Sequence, residues 1–282
     1  MKKIEQIIAE ELNIKVQQVE NTIKLIDEGN TIPFIARYRK EVTGGLSDEV
    51  LRTFGERLNY LRNLEKRKEE VTNSIEEQGK LTEEIVKDLE NAITLAEVED
   101  IYRPYKQKKK TRATVAKAKG LEPLAEIILA QEETKNIQEI AAEYISEEKE
   151  VKTVEEAIQG ALDIIAEMIS DNPEYRKLIK QIVYSKGIIK TTATKPEEKS
   201  AYEMYYDYSE NVNKIPSHRI LAINRGEKEE FLKVKIEKEE DKILEKIEKD
   251  IIKGDNQFTQ YLKDTIQDSF KRLIEPSIDR EI

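Results

Sequence analysis

Apolar residues recur at intervals of three and four along most of this chain, which predicts helices. Ile4, Ile7, Ile8 and Leu12 form one stripe, and Val16, Val19, Ile23 and Ile26 form a second. Asn13 breaks the first stripe and Gly29-Asn30 stops the second. A long helix is predicted from a cap at Ser47 or Asp48 to about Gln78, with Val50, Leu51, Phe54, Leu58, Leu61, Leu64, Val71 and Ile75 on its apolar side. A shorter helix follows from Thr82 to about Ala92, and further turns reach Tyr102. Helices resume at Leu121, where Pro123 takes an early helical position that needs no N–H. Asn136 with Glu139, and Thr153 with Glu156, have capping-box spacing. The helix after Thr153 carries Ala157, Ile158, Ala161, Leu162, Ile165 and Ile169, and Asp171-Asn172-Pro173 separates it from the next. The short helices between 121 and 190 fit a helix-turn-helix as well as a plain bundle.

Beyond residue 190 the pattern changes. Thr194 with Glu197 predicts a helix ending near Tyr208. FLKVKI, residues 231–236, alternates apolar and basic, which predicts a strand with one wet face. NRGEKE is its turn, and Ile220 to Asn224 is either a partner strand or a short helix. Two helices, about 240–253 and 255–274, follow on either side of Gly254-Asp255. The fold class is therefore mainly α: a multi-helix array over 1–195, then a helical segment, 196–282, with a small β element near 220–237.

Composition narrows the chemistry. A chain of 282 residues buries roughly 75% of its unfolded surface without staples. It contains no cysteine, so disulfides, thiolate metal sites and cysteine nucleophiles are excluded. No signal-peptide core or bilayer-length apolar run is present, which predicts a cytoplasmic protein with no membrane partner. The net charge is −10, yet residues 103–119, RPYKQKKKTRATVAKAK, hold eight Lys or Arg and no acid, leaving −18 for the remainder.

That stretch is the leading candidate site. Arg103, Lys106, Lys108, Lys109, Lys110, Arg112, Lys117 and Lys119 would contact phosphate, and Tyr102 and Tyr105 would stack on unpaired bases. The alternative is a solvated connector. A second candidate is Arg37, Tyr38, Arg39 and Lys40 beside Thr43-Gly44-Gly45. Here glycine amides and arginines would hold an anion, or Pro33, Phe34, Ile35 and Tyr38 would dock as a structural corner. Ser217-His218-Arg219 invites a triad, but chain neighbours point apart. Ser217 as a helix cap, with His218 and Arg219 in hydrogen bonds or an interdomain contact, is favoured. Tyr202, Tyr205, Tyr206 and Tyr208 read as core with hydroxyls at its rim, rather than as a stacking platform. P-loop, HExxH and GxSxG motifs are absent, and no cofactor or metal is predicted.

Three segments together resemble the N-terminal region of the Tex family of bacterial transcription accessory proteins. They are IPFIARYRKEVTGGLSDEVLR (32–52), LAEVEDIYRPYKQKKKTRATVAKAKGLEPLA (95–125) and SHRILAINRGEKEEFLKV (217–234). The resemblance implies a longer protein continuing into an RNase H-like domain, helix-hairpin-helix units and an RNA-binding OB-fold. It implies a non-catalytic scaffold that helps position nucleic acid, RNA or DNA, or transcription machinery. The alternatives are a protein-docking module and a metal-dependent nuclease or nucleotide hydrolase.

Overall fold

The computed structural model describes residues 3–106, 110–132 and 134–282. They form two compact units, Met1–Tyr105 and Lys106–Ile282.

The first unit is helical: α1 (Ile4–Leu12), α2 (Val16–Asp27), α3 (Ile32–Tyr38), α4 (Lys40–Thr43), α5 (Asp48–Glu77), α6 (Glu83–Asn91) and α7 (Leu95–Tyr102), closed by a single 3-10 turn, Arg103–Tyr105. α1 ends where Asn13 turns left-handed at φ 51°, a conformation asparagine tolerates better than most residues. α5 begins where the Ser47 side chain accepts from the Val50 amide, 3.2 Å. From there α5 is a spine. Leu51, Phe54, Leu58, Leu61, Leu64, Val71 and Ile75 are buried at steps of three, four or seven, so one continuous stripe packs against α1 and α7. Lys68 lies on this stripe, and its ammonium donates to the Glu90 carbonyl, 3.2 Å, and pairs with Glu65. A smaller cluster, Leu25, Ile35, Leu46 and Leu51, seats α3.

The second unit contains α8 (Arg112–Ala118), α9 (Glu122–Ala130), α10 (Ile137–Ala142), α11 (Val154–Asp171) and α12 (Pro173–Lys186). β1 (Ile188–Ala193), β2 (Asp207–Asn211), α13 (Ser217–Lys228) and β3 (Leu232–Glu237) follow, then α14 (Glu240–Ile251), α15 (Thr259–Asp268) and α16 (Glu275–Glu281). Residues Ser269–Ile274 make a π-helical turn between the last two. α11 is the hub, packed on α8, α9, α10 and α15. Its cap is Thr153, whose hydroxyl accepts from the Glu156 amide at 3.1 Å.

The sheet is antiparallel throughout, in the order β2-β1-β3, with Thr191 opposite both Tyr208 and Val234. β3 is the predicted strand. Its partner is not Ile220–Asn224, which is helical inside α13, but β1, which the sequence reading did not anticipate. A division near residue 195 would separate β1 from both partner strands. The helix expected from Thr194 to Tyr208 is replaced by turns, a 3-10 turn at Glu203–Tyr205 and the start of β2. Pairing with β1 outweighs local helical preference here: the Ala193 amide donates to the Tyr206 carbonyl at 2.9 Å, and the buried Thr191 hydroxyl donates to the Tyr205 carbonyl. Tyr202 and Tyr205 are buried, and the Tyr202 hydroxyl reaches Glu229 at 2.9 Å. The tyrosines thus form core with hydroxyls at its margin, on strand and turn rather than on a helix.

Candidate nucleic-acid interface

The basic stretch is divided between the units. Arg103 and Tyr105 close the first unit, half-buried. Tyr105 packs on the core of that unit, and its carbonyl accepts from Gln78, 3.0 Å. Tyr102 is also engaged there: its hydroxyl meets Ser74 at 2.9 Å, and the Arg67 guanidinium lies 5.5 Å from its ring centroid. These two rings are therefore parts of a packed helix bundle. Lys108 and Lys109 lie outside the described residues.

In the second unit the stretch contains α8, a helix that sequence periodicity missed because only two buried alanines, Ala113 and Ala116, mark its inner face. Thr111 caps it, accepting from the Thr114 amide at 3.1 Å. Lys106, Lys110 and Arg112 are exposed, and among the described residues no carboxylate lies within 4.0 Å of them. Lys117 and Lys119 differ. Lys117 pairs with Glu122 at 3.3 Å, and the half-buried Lys119 donates to the Glu150 carbonyl at 2.9 Å. Lys110, Arg112 and Lys119 line a depression of about 580 Å³ together with Glu156 and Asp163 of α11.

The corner at Arg37–Lys40 is built differently from the expected one. Ile35 is fully buried, whereas Pro33, Phe34 and Tyr38 are exposed, so the aromatic residues do not dock on neighbouring helices. Nor do the glycine amides face outward: Gly44 and Gly45 both donate to the Lys40 carbonyl. Arg37, Arg39 and Lys40 have no carboxylate within 4.0 Å among the described residues, so they do not bridge to acidic helices.

At the third candidate, Pro216 holds the cap position without a side-chain cap bond, and Ser217 is the first helical residue. The expected Ser217 cap is thus displaced by one residue, because proline fixes an extended entry and lacks a side-chain acceptor. His218 is exposed. Arg219 donates to Glu210 at 2.9 Å and to the Tyr208 hydroxyl at 3.0 Å, all within the second unit. The hydrogen bond from Tyr208, helped by Arg219, holds the Glu210 carboxyl below its usual range. Burial, with Glu210 beside it, pushes the Tyr208 phenol up. Among the described residues no three His, Asp or Glu side chains are placed to hold a metal ion, and no helix is long and apolar enough to cross a membrane.

Two families match the chain. The Tex-like protein N-terminal domain covers residues 2–76 and the Tex central region-like family covers 132–282. The chain belongs to the Tex family. YdcI of Bacillus subtilis is 52% identical over 283 residues, which is 99% of this chain and 39% of that protein. The protein tex of Bordetella pertussis is 40% identical over 236 residues, 83% of this chain and 30% of its own length. The human S1 RNA-binding domain-containing protein 1 is 30% identical over 298 residues, 98% of this chain and 29% of that protein. The chain thus spans less than two-fifths of these Tex relatives. The corner at Arg37–Lys40 lies inside the first matched range, and the basic stretch falls between the two.

Proposed function

We propose that this chain is a non-catalytic scaffold of a Tex-type transcription accessory protein, and that it helps to position nucleic acid. One observation carries the reading. Between Arg103 and Lys119 no acidic residue interrupts the chain, and Lys106, Lys110 and Arg112 stand in solvent with no carboxylate partner among the described residues. In a chain of net charge −10, this local cationic segment is suited to phosphate rather than to nonspecific coating of nucleic acid. Relatives named for transcription and for S1 RNA binding, 39% and 30% identical to this chain, support the reading.

The test is fluorescence anisotropy of labelled single-stranded RNA and duplex DNA across a salt series. The variant Lys106→Glu/Lys110→Glu/Arg112→Glu is expected to lose affinity and to flatten the dependence of affinity on salt. Equal binding by the variant would make the segment a solvated connector. Magnesium-dependent cleavage of either probe, abolished by chelator, would overturn the non-catalytic reading.

A further inference from the structure

α3 carries two aromatic side chains that its packing does not require. Ile35 alone is fully buried on this helix. Phe34 and Tyr38 are four residues apart, hence on one helical face. They remain 38% and 55% exposed, with ring centroids 5.2 Å apart and planes tilted by 48°. Leaving neighbouring rings in water forgoes the burial that usually accounts for aromatic residues.

Cations surround these rings. The Arg39 guanidinium lies 5.3 Å from the Phe34 centroid, and that of Arg37 lies 6.0 Å from Tyr38. Arg37 and Lys40 border the same depression of about 550 Å³, together with Pro33, Phe34 and Tyr38. Asp48 also borders it, but its carboxylate is bound to Arg52 at 2.7 Å. The ledge is fixed from behind. The Asn21 side chain donates to the Val42 carbonyl at 3.0 Å, and that of Gln18 donates to Thr43 and Gly44 at 3.0 and 3.3 Å. Gly44 is left-handed at φ +68°, and a Cβ there would sit 2.8 Å from the Gln18 amide nitrogen. The turn therefore closes onto α2 in a way few other residues would permit.

We propose that Phe34, Tyr38, Arg37, Arg39 and Lys40 form a stacking site for unpaired nucleotides. A base lies against the exposed rings, and the flanking phosphates meet the three cations. This deepens the reading that the chain contacts nucleic acid and rests on it. It adds a requirement that phosphate contact alone does not have: the ligand's bases must be free of a duplex. The lining favours nucleic acid over an acidic peptide. None of the residues around the depression is buried, so there is no desolvated pocket for the kind of side-chain anchor that dominates peptide recognition.

The test compares two fluorescent oligomers of equal length and phosphate number, one an oligouridylate and the other abasic. The whole chain should bind the oligouridylate roughly tenfold more tightly, the size of stacking contributions measured by alanine substitution. Phe34→Ala/Tyr38→Ala should abolish that preference yet retain salt-dependent binding. Arg37→Gln/Arg39→Gln/Lys40→Gln should weaken binding of both oligomers. Thermal melting checks that the variants fold, and Tyr38→Ser, at the more exposed ring, serves if the double variant does not. Equal affinity of the native chain for both oligomers, or an unchanged preference in folded ring variants, overturns the stacking site. In that case binding that still responds to Lys106→Glu/Lys110→Glu/Arg112→Glu would leave the broader reading standing. No binding of either oligomer at low salt would remove both. An acidic peptide bound through Phe34 and Tyr38, with no nucleotide preference, would make the ledge a protein-docking site.

Discussion

The guanidinium of Arg176, wholly buried in α12, donates to the carboxylate of Glu281 in α16 across 2.5 Å, joining positions 105 residues apart. Ser277 accepts from the same guanidinium at 3.2 Å, and Lys180 reaches the other Glu281 oxygen at 2.7 Å. An arginine without solvent access must find its partners inside the protein, so this contact fastens the last helix to the body of the second unit.

Arg176→Ala is therefore expected to destabilise the second unit by about 3 kcal/mol, because it removes packing and takes from a partly buried carboxylate one of its two cationic partners. Arg176→Met fills much of the volume without the charge and should cost less. Urea unfolding followed by circular dichroism measures both, and equal losses would show that the lost charge, not the lost volume, sets the cost.

Acid should act on the same contact. Burial alone would raise the Glu281 carboxyl, but Lys180, Arg176 and Ser277 outweigh it and hold the group below its usual range. A carboxylate with a lowered folded pKa adds stability above its unfolded value, and that contribution disappears as pH falls through the folded value. The melting temperature of the native chain should therefore drop more steeply below the ordinary glutamate range than that of Glu281→Gln. Parallel curves would refute this assignment.

Gly187 joins α12 to β1. A Cβ at this position would lie 2.3 Å from the Val183 carbonyl oxygen and 3.0 Å from a Val212 methyl. The nearer neighbour is backbone and cannot rotate aside. Gly187→Ala should destabilise the second unit by roughly 1–3 kcal/mol, read as a lower urea midpoint. A neutral result would mean that the junction relaxes freely.

Helix caps offer a milder perturbation in each unit. Thr153→Ala and Ser47→Ala each remove a hydroxyl that accepts from the third residue along, at 3.1 and 3.2 Å. Each should cost about 1 kcal/mol. Amide hydrogen exchange can locate the loss, with Thr153→Ala acting at the start of α11 and Ser47→Ala at the start of α5. Protection lost elsewhere would contradict local capping.

Much of the helical framework was legible because each long helix buries one unbroken stripe. α5 and α11 announce themselves through Leu51 to Ile75 and Ala157 to Ile169, and their caps through Ser47 and Thr153. α8 was hidden because its inner face is alanine, which carries almost no periodic signal. β1 was hidden because Ile188–Ala193 directly follows a helix and its partners lie beyond two further turns of chain. No local pattern encodes that pairing. The cationic residues could be read from the sequence, but their availability could not. Lys117 and Lys119 are occupied, while Lys110 and Arg112 have no carboxylate within 4.0 Å among the described residues, a distinction set by Glu122 and by the Glu150 carbonyl rather than by residue type. The exposure of Phe34 and Tyr38 likewise depends on α3 turning Ile35, with Ile32 and Ala36, inward instead.

The central place of β1 has a consequence for biosynthesis. Of the three strands it leaves the ribosome first, yet it needs an edge from each side, supplied by residues up to 211 and then up to 237. Until the second of these has been made, its hydrogen-bonding edge stands open, a state that invites pairing with foreign strands. Slowing translation between these positions would lengthen that exposure, whereas the all-helical first unit would already have all of its residues.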